Sequence, residues 1–245
     1  MKSYRIAKVK IDGASESEVI DLIRRAVRDK QKTQLATINN EFIVEAQKNS
    51  EFREVLNKCD LAIAESTGVV WAVKRLYGEK IARLPGADLF EEICDAAASE
   101  GWRIFLFGGA EGVALQAARS LRTKRPRLQV SGILDGVPVT ADNPSSEIIE
   151  QINCSKTDIL FVALGAPKQD LWIAKNLPSL NVKVAVGVGG TFDFAAGKIK
   201  RAPRWLRKIG LEWLYRLMRE PRRFKRIWTA TVTFPLLVYR VKKET

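Results

Sequence analysis

The chain has 245 residues, 46% of them hydrophobic, enough to bury a substantial core as one large domain or as a domain with an appendage. It holds no histidine and three widely spaced cysteines, Cys59, Cys94 and Cys154, which excludes a Ser-His-Asp triad, a histidine base and histidine metal sites, and suggests neither a disulfide framework nor a zinc site. The formal charge of +13 is uneven: residues 198–245 carry 15 Lys or Arg against 3 Asp or Glu, leaving 26 against 25 in residues 1–197.

That break predicts an α/β domain over 1–197 followed by a basic appendage over 198–245. The opening MKSYRIAKVKIDG alternates charged and apolar residues and lacks the apolar run of a signal peptide, so a reducing cytosol is expected. Aliphatic or β-branched runs predict strands at RIAKVKI (5–11), QLATIN (34–39), LAIA (61–64), RIFLFG (103–108), LQVSGIL (128–134), DILFVALG (158–165) and VKVAVGVGG (182–190). Helix-like segments lie between most of them. Ser15 and Glu18 read as a capping box opening a helix through about residue 30, and 87–100 and 111–124 show helical periodicity. Such alternation predicts an α/β fold: a Rossmann-like, mostly parallel sheet with helices on both faces.

In open sheets of this class ligands sit beyond the carboxyl ends of the strands, so the residues following each strand are the candidates. RIFLF runs into Gly108-Gly109-Ala110-Glu111-Gly112, where glycines let a backbone approach a phosphate and a helix start offers N–H donors; such glycines also serve simply as turn formers. DILFVAL leads into Gly165-Ala166-Pro167-Lys168-Gln169-Asp170, and VAVGV into Gly189-Gly190-Thr191-Phe192-Asp193. Three glycine-bearing turns together favour a nucleotide or nucleotide-sugar site. Asp193 suits a ribose hydroxyl or base N–H, or else caps its own turn. Thr37 and Asn39 end one strand, and Glu65 follows LAIA, placed either as a general base or to favour the positive end of the next helix. A DxD metal anchor is missing, so any departing diphosphate must be met by Arg, Lys and backbone donors, and no metal or other cofactor is expected.

The segments TINNEF (37–42), AESTGVV (64–70), RLPGADL (83–89), FGGAEGVA (107–114), GAPKQD (165–170), GVGGTFD (187–193), RAPRW (201–205), EWLYR (212–216) and EPRR (220–223) occur in order. As a set they resemble the WecG/TagA/CpsF glycosyltransferases, glycosyltransferase family 26. The resemblance implies a metal-independent, inverting hexosyltransferase, peripheral on the inner face of the cell membrane, with a core that can self-associate. In the teichoic-acid branch N-acetylmannosamine passes from its UDP conjugate to the 4-hydroxyl of N-acetylglucosamine on undecaprenyl diphosphate. Carried over position by position, it places the pattern's catalytic carboxylate, a general base, on Glu65, and makes Thr37, Asn39, Arg83 and Gln169 pocket residues. Gly109 and Asp193 fall on the nucleotide side, while Arg216, Arg223 and Arg226 become candidate diphosphate contacts. The family usually has Ala-Asp-Gly where this chain has Ala64-Glu65-Ser66, one methylene longer and with less backbone freedom. Asn40 and Asp170 stand where Pro and Glu are commoner.

The stretch EWLYRLMREPRRFKR (212–226) packs six basic residues among three aromatic rings. Composition alone allows a solvated helix face, a nucleic-acid grip or a membrane-docking surface. The lipid-linked acceptor implied by the resemblance favours membrane docking at an anionic surface over nucleic acid, with Trp205, Trp213, Phe224, Trp228 and Phe234 as anchors. The apolar run 227–239 contains Pro235 and falls short of the roughly 20 residues that span a bilayer.

Overall fold

The computed structural model describes residues 1–136, 146–199, 201–203, 206, 214, 215, 218 and 224–241. Among these residues eight strands form one sheet in the order β1-β2-β4-β3-β8-β7-β5-β6. From β2 inward every pairing is parallel, and only β1 (Ser3–Ile6) and β2 (Val9–Asp12) run antiparallel. The single strand expected over 5–11 is therefore a hairpin. Ala7 and Lys8 both take left-handed backbone angles, with φ of 48° and 67°, the geometry of a two-residue turn between right-twisted strands. Tyr4, Ile6, Val9 and Ile11 still point into the core, so the alternation survives on both arms.

The other strands are β3 (Thr33–Ile38), β4 (Leu61–Ala64), β5 (Arg103–Gly108), β6 (Gln129–Leu134), β7 (Ile159–Ala163) and β8 (Val184–Gly187). Helices α1 (Glu16–Arg28), α5 (Gly86–Glu100), α6 (Val113–Lys124) and the short α9 (Thr191–Ala195) cover one face, closing over Val19, Ile23, Phe90, Ile93, Leu121, Phe161 and Phe192. On the other face lie α2 (Asn40–Lys48), α3 (Ser50–Lys58), α4 (Thr67–Tyr77), α7 (Ser146–Cys154) and α8 (Lys168–Asn176). The central strands divide their side chains between the layers: in β3, Leu35 faces the first layer while Ala36 and Ile38 face the second. Burial on both sides explains why these strands read as unbroken apolar runs. The α1 capping box is present, with the Ser15 hydroxyl accepting from Glu18 N and the Glu18 carboxylate accepting from Ser15 N; the helix stops at Arg28, two residues short of expectation.

The last described segment comprises α10 (Phe224–Trp228), a π-helical turn over Thr229–Thr233 and α11 (Phe234–Arg240). Phe234 and Val238 are buried within the layer built by α2 and α4. Phe234, expected as a membrane anchor, is thus a core residue. The cause is tertiary: the surface that covers it is built by α2 and α4, far earlier in the chain.

Candidate active site

The carboxyl ends of β3, β4, β7 and β8 lie side by side at the middle of the sheet, and the polar residues of the site project from them. Glu65 follows β4; its backbone N–H donates to Ile38 O at 2.9 Å, and its side chain is half-buried. The carboxylate is held from two sides. Oε2 accepts from Asn39 Nδ2 at 3.0 Å and Oε1 accepts from Gly86 N at 3.2 Å. Asn39 is itself fixed because its Oδ1 caps α2, accepting from Glu41 N and Phe42 N. The helix start that Glu65 favours is α5, whose first residue is Gly86, whereas α4 is capped by the Ser66 hydroxyl at 3.3 Å from Val69 N.

Gly86 can come this close only because it has no side chain. A Cβ there would sit 3.0 Å from Glu65 Oε1 and 3.4 Å from Thr37 Oγ1. The RLPG stretch reaches this place because Leu84 N donates to Ala64 O at 2.8 Å, laying residues 83–86 across the end of β4. We expect Gly86→Ala to shift the carboxylate slightly and lower turnover several-fold, less than the roughly 100-fold associated with a misplacement of about 1 Å; steady-state kinetics with unchanged thermal stability would check it.

Thr37 is buried beside Gly86, and its hydroxyl donates to Gly187 O at 3.5 Å. Gln169, also buried, joins two of the glycine turns: its Oε1 accepts from Gly189 N at 2.9 Å, and a Cβ on Gly187 would lie 2.5 Å from its Nε2. Thr37, Asn39, Glu65 and Gln169 therefore form one contiguous patch, with Arg83 in the segment crossing it. Gly109 and Asp193 lie toward the β5 side, where a Cβ on Gly109 would meet the Phe192 ring at 3.6 Å. Gly109 has φ of +86°, a conformation glycine adopts at no steric cost. The free donors expected at the start of α6 are occupied: Asp135 Oδ2 accepts from Ala114 N and Leu115 N at 3.1 and 3.3 Å. Asp193 sits half-buried in the first turn of α9.

Of the three arginines expected at a diphosphate, Arg216 and Arg223 lie outside the described residues. Arg226 pairs with Glu41 at the start of α2, its Nε 2.6 Å from Oε2. That places its guanidinium beside the segment carrying Asn39.

Three participants carried no clear signal as functional groups. Gly86 acts through its backbone N–H, which no side-chain pattern reveals. Asp135 follows β6 and reads as an ordinary turn residue. Asp170 is fully buried, and neither carboxylate oxygen meets a hydrogen-bond partner. Burial, with a smaller contribution from the charge of Glu65, pushes its pKa up to about 7. Among the described residues no group of three or more His, Cys, Asp or Glu is placed to hold a metal ion.

The arrangement is a carboxylate held by two donors beside glycine turns at the carboxyl ends of the strands, the place where open sheets of this class bind ligands. The model of the "Glycosyl transferase WecG/TagA/CpsF family" matches residues 4–245. A relative from Bacillus spizizenii, N-acetylglucosaminyldiphosphoundecaprenol N-acetyl-beta-D-mannosaminyltransferase, is 34% identical over 194 residues, covering 79% of this chain and 74% of that protein.

Proposed function

The chain belongs to the WecG/TagA/CpsF glycosyl transferase family, and on that premise we propose that it moves N-acetylmannosamine from UDP-N-acetylmannosamine to the 4-hydroxyl of N-acetylglucosamine-diphosphoundecaprenol, building a teichoic-acid linkage unit or a related surface polysaccharide. The observation that carries this reading is the Glu65 carboxylate fixed between Asn39 and Gly86 at the mouth of the sheet. In a single displacement Glu65 takes the proton of the acceptor hydroxyl as its oxygen bonds to the anomeric carbon. The bond from that carbon to the UDP oxygen breaks on the opposite side, so the configuration inverts. The leaving diphosphate is met by arginines of the C-terminal segment, Arg216, Arg223 and Arg226, while Arg83 lines the pocket. Gly109 and Asp193 hold the nucleotide, and Thr37, Asn39 and Gln169 shape the sugar pocket.

A lipid-linked acceptor requires the site to stand at a bilayer, and the appendage supplies a suitable surface. Phe224, Trp228, Leu236 and Tyr239 are exposed together with Trp71 of α4. Phe224 and Trp228 have ring centroids 6.0 Å apart, Trp71 and Tyr239 5.9 Å, and the Arg75 guanidinium lies 4.0 Å over the Tyr239 ring. Rings at headgroup level among Lys225 and Arg240 suit an anionic surface, where each basic residue contributes on the order of 1 kcal/mol. Among the described residues no helix is long and apolar enough to cross a membrane, so docking on the surface is the mode proposed.

One assay tests both parts. The full chain is given UDP-N-acetylhexosamines and a lipid-diphosphate acceptor in anionic or neutral vesicles, with EDTA present. Transfer of N-acetylmannosamine with release of UDP is expected, together with co-sedimentation on anionic vesicles that weakens several-fold in Trp228→Ala combined with Phe224→Ala. No turnover of any UDP-sugar would overturn the transferase reading; equal sedimentation with both vesicle types would overturn the docking one.

A further inference from the structure

The start of α2 holds three consecutive polar residues, each bonded in a different direction. Asn39 Nδ2 donates to Glu65. Asn40 uses both ends of its amide: Oδ1 accepts from the Ser66 hydroxyl at 2.6 Å, and Nδ2 donates to Ala230 O in the C-terminal segment at 2.7 Å. Glu41 accepts from Arg226 in the same segment. One turn of chain thus contacts the candidate base, the residue following that base, and the appendage.

The acceptor on Ala230 is available for a local reason. It lies in the π-helical turn, where Phe234 N already bonds to Thr229 O, five residues back. In that register the partner of Ala230 O is residue 235, which is proline and has no N–H. The carbonyl is left without its helical donor, and the Asn40 amide takes that place. Room for the amide comes from Gly68, where a Cβ would stand 2.4 Å from both Asn40 Nδ2 and Oδ1. Burial of Phe234 and Val238 beneath α2 and α4 seats this turn against Asn40.

We propose that Asn40 is a positioning residue that couples seating of the C-terminal helix to the aim of Glu65, through the Ala230 carbonyl on one side and the Ser66 hydroxyl on the other. The inference rests on the transfer reaction proposed above. Appendage and catalytic carboxylate are then mechanically linked: with the helix seated, the backbone at 65–66 is held and the carboxylate stays between Asn39 and Gly86. Without it, the loop is free to relax and the reaction slows, while the nucleotide side, built on β5 and β8, is unaffected.

The test uses full-length Asn40→Ala and Asn40→Asp. The aspartate keeps an oxygen for Ser66 but sets its other oxygen against the Ala230 carbonyl. Both variants are expected to speed amide exchange across 224–240 and to lower kcat about 10- to 100-fold, with KM for the UDP-sugar within about twofold and the core unfolding midpoint little changed. Faster exchange with unaltered kcat would show that Asn40 tethers the helix without aiming the base, and would overturn the proposal. A lower kcat with unaltered exchange would place its effect inside the pocket, and a rise in KM alone would make it a substrate contact; either result overturns it. Failure of the underlying reading looks different, because the unsubstituted chain would then transfer no sugar at all, whatever the exchange pattern.

Discussion

Glu65→Gln is expected to lower turnover about 100- to 10,000-fold, the range associated with loss of a positioned general base, while UDP affinity stays within a few-fold. The structure explains why the loss should be large. The carboxylate presents one oxygen to each of two donors, Asn39 Nδ2 and Gly86 N. An amide matches only one of them and sets its NH2 against the other. Asn39 cannot turn over to compensate without uncapping α2, because its Oδ1 serves Glu41 N and Phe42 N. The substitution therefore removes the proposed proton acceptor and disturbs its mounting together. UDP binding, measured by calorimetry, separates the effects, since the nucleotide side does not share these bonds. Turnover above about a tenth of the starting value would place the base elsewhere.

Asp170→Asn should change the pH dependence of stability more than any other single substitution considered. The pKa of Asp170 is raised to about 7, chiefly by burial, against about 3.9 in an unfolded chain. Between those values the folded protein keeps a proton that the unfolded chain has lost, so stability falls as pH rises, by up to about 1.4 kcal/mol per pH unit. Below about pH 4 both states are protonated and above about pH 7 both are ionised, so this contribution is flat outside the window. Asparagine carries no such linkage. Relative to the parent, the variant should gain on the order of 2–4 kcal/mol between pH 4 and pH 8, read from urea midpoints; any cost of the buried amide is common to both pH values and cancels. Parallel curves for the two proteins would show that Asp170 does not titrate between them. Gly187 belongs to the same arrangement, since a Cβ there would press on Asp170 Oδ1 at 3.0 Å.

Strands β4 and β5 were legible to the residue, because strands covered on both faces read as aliphatic blocks and nothing at their ends competes. The N-terminal hairpin was not. Its turn is Ala7-Lys8, without the Asn or Gly that usually marks left-handed geometry, and the apolar alternation runs through it undisturbed. In the site, Thr37, Asn39, Glu65 and Gln169 stood out as polar side chains at strand ends, and they meet in space. Gly86 did not, since its contribution is a backbone N–H and the space of a missing Cβ. Asn40 and Ser66 were each visible as departures from the family pattern, but their mutual bond depends on α2 and α4 starting from adjacent strands. The appendage showed its charge and rings plainly. Which ring faces inward was hidden, because the covering surface for Phe234 comes from the opposite end of the chain.

Burial of Phe234 and Val238 in the second helix layer also bears on how this molecule can be shortened. Removing the C-terminal segment to obtain a shorter core would strip the cover from α2 and α4 and open an apolar furrow where Phe234 and Val238 now pack. Aqueous solubility, more than catalysis, would then govern how such a fragment behaves. Replacing the outward rings Phe224, Trp228 and Tyr239, with the inward pair left intact, offers a cleaner way to separate the proposed docking from the fold.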